Sequence, residues 1–185
     1  MSSGTVIRPS RARKMKIIID EELKGILTRD WIKKVLKVVD PDMLKNLTIR
    51  VIEPRKYDKE VDWNDWSNEE TRKELARRIR GGTYPGGKTV EVFMRRRAWA
   101  YYLNRRSLVR MLYHEIYHAN DPNLHEEWEP SGWEDPYWNH PAEVRARTFE
   151  KRMFRQLKNK RGIILMNVEV RAKHPDLFRD SYQSE

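Results

Sequence analysis

Residues 108–121 read LVRMLYHEIYHAND, an apolar, helix-forming run that sets His114 and His118 four residues apart. On an α-helix, positions i and i+4 project from one face a single turn apart, so the two imidazoles can converge on one ion. Glu115, the residue after the first histidine, is then turned beside that ion and not onto it. The pattern predicts a helix over residues 107–119, starting as early as Trp99, and the fold follows from what packs on it.

Working outward, HPAEVRART (residues 140–148) opens a second helix, predicted over 141–159. His140 or Asn139 supplies the N-cap, and Pro141 takes the first helical position, where its missing N–H costs nothing. Between the two helices lies a proline- and tryptophan-rich loop, with Trp128, Trp133 and Trp138. These rings either cover a small core or line a groove, and the first reading is preferred. On the N-terminal side, TVEVFM (89–94) alternates as a strand, LTIRVIEP (47–54) is β-branched enough for another, and MKIIID (15–20) for a third. Leu23, Ile26, Leu27, Trp31, Val35, Leu36 and Val39 fall at helical spacing, predicting one helix that ends before Asp40-Pro41. Residues 56–68 form a polar excursion, 69–80 a charged helix, and Gly81, Gly82, Pro85, Gly86 and Gly87 a turn. IILMNVEV (163–170) reads as a late strand. The predicted fold is α+β: a small three- to four-stranded mixed or antiparallel sheet packed on the HExxH helix, with the second helix crossing it.

The chain has 185 residues, room for one domain with a real core. The predicted organisation is a flexible basic arm over 1–14, a single domain over 15–170 and a tail over 171–185. No apolar run approaches the roughly 20 residues a membrane span needs, and no apolar stretch follows the basic opening segment, so a cytoplasmic protein is expected. There is no cysteine, so a metal site must be built from His, Asp or Glu. The net charge is +10, yet residues 119–143 hold no Lys or Arg and seven carboxylates. Such a basic exterior fits either weak, sequence-independent nucleic-acid binding or a solvated surface with ion-pair networks, and the second is preferred. If the acidic loop flanks a cleft, it favours a cationic peptide.

Catalytic zinc takes three protein ligands and keeps one position for water, so a third ligand must accompany His114 and His118. Zinc lowers the pKa of its water towards ~7, and a neighbouring carboxylate such as Glu115 can take that proton and pass it to a leaving amine. Glu143 lies 25 residues past His118 on the separate predicted helix. His140, one turn earlier, is the rival ligand, and Glu143 is favoured over it. His125 fails, because a metzincin-type third histidine requires a different spacing and a glycine where Asp121 stands.

HEIYH (114–118) followed by a helix bearing Glu-x-x-Ala (Glu143, Val144, Arg145, Ala146) resembles the gluzincin metallopeptidases. At this length it is most similar to minimal gluzincins and to ImmA/IrrE-like peptidases, over roughly residues 89–159. The resemblance implies a zincin-like domain with zinc held by His114, His118 and Glu143, and Glu115 as general base. It also implies that Ala146 is small so that the two helices approach closely. With Glu143 as ligand, His140 or Tyr137 is free to stabilise an oxyanion, a capping or packing role being the alternative. In minimal gluzincins a terminal segment can occupy the cleft, which makes 171–185 a candidate strap, against the plainer reading of a frayed end. Two other classes stay open: a SprT-like DNA-associated protease, whose third histidine His140 would supply, and a non-catalytic module that zinc merely stabilises.

Overall fold

The computed structural model describes residues 14–53, 80–83, 87–96, 102–124, 139–164 and 173–175. Strands are β1 (Lys16–Ile19), β2 (Thr48–Ile52), β3 (Arg80–Thr83) and β4 (Thr89–Phe93). Helices are α1 (Arg29–Leu36), α2 (Pro41–Leu44), α3 (Tyr102–His118), α4 (Pro141–Gln156) and α5 (Lys160–Ile164). The architecture is α+β, with one mixed sheet in the order β1-β2-β4-β3.

The antiparallel alternative is corrected: β1, β2 and β4 run parallel, and β3 alone pairs antiparallel, with β4. Parallel neighbours need a long crossover, which α1 and α2 provide between β1 and β2. Side chains alternate along each strand, so the register sorts the sheet into two faces. Ile17, Ile49 and Val90 stand in one row, and Ile19, Val51 and Val92 in the next; all six are buried. Ile18, Arg50 and Glu91 stand in the row of opposite sense, where Arg50 Nη1 pairs with Glu91 Oε1 at 2.5 Å. The apolar rows face the helices. Thr83 is paired with Val90, and so points to that same face.

α3 lies against β3 and β4, and α4 packs along α3 in the most extensive helix–helix contact. Leu108, Val109, Leu112, Tyr113 and Ile116 are fully buried, and the Tyr113 hydroxyl donates to the Val35 carbonyl at 2.6 Å, tying α3 to α1. Each such aliphatic side chain is worth roughly 1.5–3 kcal/mol on burial, and together they form one contiguous core with the sheet. That packing fixes the rotation of α3, and hence the direction in which its histidines point.

Four expectations from the pattern need correction. The single helix over residues 21–39 is broken: a 3-10 turn (Glu21–Leu23) leads into Gly25 at φ +83°, and α1 starts afresh behind Thr28. Thr28 Oγ1 accepts from the Trp31 N–H at 3.1 Å, which satisfies one of the orphan donors of the first turn. Leu23, Ile26 and Leu27 are buried all the same, because apolar spacing reports which side faces the core and not which backbone carries it. Gly81 and Gly82 belong to β3 and not to a turn, since β4 supplies the antiparallel ladder opposite them. Arg80 likewise begins β3 instead of closing a helix. Finally, Ile163 and Ile164 end α5 and do not begin a strand; the Trp31 indole N–H donates to the Ile163 carbonyl at 2.7 Å, and Arg105 Nε to that of Ile164. These donors satisfy carbonyls a helix end leaves orphaned.

The expectations for residues 1–13, 54–79, 84–86, 97–101, 125–138, 165–172 and 176–185 lie outside the described residues, the Pro85–Gly86 turn, the helix start near Trp99, Tyr137 and the three loop tryptophans among them. No helix of the described residues is long and apolar enough to cross a membrane.

Candidate metal centre

The centre is built across the α3–α4 interface. Arg110, His114 and His118 follow each other at one-turn intervals on α3. From α4, Glu143, Ala146, Glu150 and Met153 present a buried stripe at spacings of three and four. Ala142 and Ala146 are both fully buried, and their small side chains let carboxylates on either side reach α3. Arg145 Nη2 pairs with Asp121 Oδ2 at 2.7 Å, fastening the start of α4 to the segment that follows α3.

His114, His118 and Glu143 offer ligand atoms that all lie within 4.8 Å of one another, the one such group among the described residues. Nε2 of His118 stands 3.1 Å from Nε2 of His114. Glu143 Oε1 is 3.1 Å from the first of these nitrogens, and Oε2 is 3.2 Å from the second. A tetrahedral ion with bonds of about 2.0–2.1 Å spaces its donors about 3.3 Å apart, so this donor set fits a small divalent cation. Electrostatics agrees, because a carboxylate buried to this depth between two imidazoles calls for a positive charge in the gap.

In the metal-free protein a proton supplies that charge. Burial opposes protonation of His114, but the carboxylates of Glu143, Glu150 and Glu115 outweigh it and push its pKa up to about 9. Glu150 Oε2 is 3.6 Å from His114 Nδ1, and Glu150 Oε1 accepts from Arg110 Nε. Although burial works against its ionisation, His114 and Arg110 together hold the Glu150 carboxyl below its usual range. The Nδ1 of His118 has no such companion among the described residues.

Glu115 is buried and outside the metal group. Burial pushes its pKa up, against the pull of His114 and the Thr83 hydrogen bond. The Thr83 hydroxyl lies 2.9 Å from Glu115 Oε2 and 3.0 Å from the Glu115 carbonyl oxygen, two acceptors for one proton. Thus the edge strand β3 grips the carboxylate beside the metal ligands.

His140 is buried at the N-cap of α4, where its Nδ1 accepts from the Ala142 N–H at 3.2 Å. The structure therefore brings Glu143, and not His140, to the two histidines. Two residues of the site escape the sequence reading. Glu150 sits seven after Glu143, a spacing that returns to the same helix face and was there to be noticed. Thr83 lies in a glycine-rich stretch that reads as a turn, so nothing in its neighbourhood announces it.

Compared with known proteins, the chain matches no family model, no curated protein and no solved structure.

Proposed function

We propose that the chain is a zinc-dependent peptidase of gluzincin type, with His114, His118 and Glu143 holding the metal and Glu115 serving as general base. The observation that carries this reading is the meeting of three ligand atoms from two helices with a fourth, separately held carboxylate next to them. A site that merely stabilised a fold would need no such extra acid. Zinc, when bound, supplies a Lewis acid and a water acidic enough to ionise near neutral pH.

The chain's own residues do the rest. Glu115, with its pKa raised by burial, is a stronger base than an exposed carboxylate, suited to accept a proton and return it to the leaving amine. Thr83 fixes the direction of that carboxylate. Since Nδ1 of His140 accepts a backbone N–H, the ring proton of neutral His140 resides on Nε2, which is the donor that oxyanion stabilisation requires. The order that the resemblance implies, a strand, then the HExxH helix, then the glutamate helix, is also the chain order of β4, α3 and α4, which supports this reading.

The SprT-like reading is weakened because His140 does not join the group of ligand atoms formed by His114, His118 and Glu143. The structural-module reading is tested by Glu115→Gln, which keeps size and removes basicity. An enzyme loses hydrolysis of a quenched-fluorescence peptide library while its zinc content stays at one per chain. Equal turnover in both proteins contradicts Glu115 as the general base, and none in either with zinc bound contradicts the peptidase reading.

A further inference from the structure

Of the two imidazoles, only His114 has a carboxylate behind it among the described residues, and that carboxylate is not the ligand Glu143. Glu150 comes from the same helix two turns later, is buried, and reaches the far nitrogen of the ring. Arg110, one turn before His114 on α3, holds the other oxygen of Glu150. His114 thus stands between two carboxylates of one helix, Glu143 at Nε2 and Glu150 at Nδ1.

We infer that Glu150, held by Arg110, is the positioning residue of the metal centre: it keeps the His114 proton on Nδ1 and the Nε2 lone pair on the ion. This rests on the proposed metal site and adds to it an unequal pair of histidines. An imidazole with its proton on the wrong nitrogen cannot bind at Nε2, and a carboxylate at Nδ1 selects the right tautomer and makes the ring a stronger donor. The stretch from Glu150 to Nδ1 is 3.6 Å, an ion-pair distance beyond a hydrogen bond, so the contact has room to tighten. A buried carboxylate is unfavourable unless paired, and here Arg110 is the pairing that lets it persist. Arg110 is half-exposed at its outer end, so the pair sits at the rim of the interface and not in the core. His118 has no equivalent among the described residues; its ring packs against Tyr117 and His114.

The test is Zn2+ affinity, measured by competition with a chromophoric chelator in mildly alkaline buffer, for the full-length chain and for Glu150→Gln, Glu150→Ala and Arg110→Gln. Losing such a partner weakens metal binding by roughly 10- to 100-fold. We expect Glu150→Ala to lie in that range, with Glu150→Gln and Arg110→Gln between it and the parent. Long-range 15N correlation spectra of the metal-free proteins, recorded at a pH high enough that the ring is neutral, should show His114 with its proton on Nδ1 in the parent and a mixture of tautomers in Glu150→Ala, with His118 unchanged. Glu150→Gln, of the same shape, serves if the alanine variant does not fold. Zinc affinity within twofold of the parent in a folded Glu150 variant, or an unaltered His114 tautomer, overturns the inference while the metal site stands. Failure of the parent to bind zinc at one per chain overturns the site itself.

Discussion

The proton trapped at the metal centre makes the metal-free protein lose stability as the solution becomes more alkaline. The perturbation is pH alone, in the presence of a chelator. His114 titrates at about 9 in the folded chain against 6.5 in an unfolded one. Its folded pKa is the higher, so its contribution is fully present below 6.5 and is lost as pH rises through about 9. A tenfold change in proton affinity is worth about 1.4 kcal/mol, so the bound proton stabilises the fold by on the order of 3 kcal/mol. This is a sizeable part of the 5–15 kcal/mol typical of a domain. Urea unfolding followed by circular dichroism, at intervals across this range, gives the profile. His114→Gln removes the titrating ring and should flatten the curve between the same limits. Zinc should reverse the trend, because it takes the place of the proton and binds more tightly as the proton is released. A metal-free parent whose stability is level or rising over this window, or a His114→Gln variant that keeps the slope, refutes the reasoning about the buried carboxylates.

Three further outcomes follow from the packing and the charges. Ala146→Leu places a larger side chain at a fully buried contact between α3 and α4; overpacking should cost about 1–3 kcal/mol in chemical denaturation, and zinc should bind more weakly because Glu143 is pushed back. Thr83→Val removes the hydroxyl that faces Glu115; turnover should fall by roughly 10- to 100-fold, since hydrogen bonds to charged groups are worth about 1.5–3 kcal/mol, while Thr83→Ser restores it and zinc content stays constant in all three. Lys151, Arg152, Arg155 and Lys158 lie exposed on the outward side of α4 and its exit; if they contact phosphates, each Gln replacement should lower the salt slope of weak duplex-DNA binding by about 0.9, read by fluorescence anisotropy. Unchanged slopes in that quadruple variant, with a Lys33, Lys34 and Lys37 triple variant as control, would leave these cations as a solvated face.

The part of the fold legible in the sequence is the part decided by local periodicity. The HEIYH turn spacing, the Pro141 start of α4 and the β-branched cores of β1, β2 and β4 each depend on a few neighbouring residues. Sheet direction does not: whether β2 joins β1 parallel or antiparallel depends on where the crossover helices pack, and no residue within the strands records it. Gly25 is similar, for a lone glycine within an apolar helical pattern reads as tolerated, although here it supplies the positive φ that stops the helix. Gly81 and Gly82 mislead in the opposite sense, since their partner strand lies further along the chain. For the site, His114 and His118 were visible because helix geometry ties spacing to direction, and Glu143 because it lies on the second predicted helix in the Glu-x-x-Ala pattern that carries the resemblance. Thr83 was hidden because its role is set by pairing with Val90, which turns it towards α3.

A cation between α3 and α4 underlies both the proposed chemistry and the role of Glu150, and X-ray diffraction from zinc-saturated crystals on both sides of the zinc absorption edge would locate it. One anomalous peak is expected, with His114 Nε2, His118 Nε2 and a Glu143 oxygen at about 2.0–2.2 Å, and a fourth position open to solvent. A peak elsewhere, no peak, or a closed tetrahedron completed by a fourth side chain would contradict it.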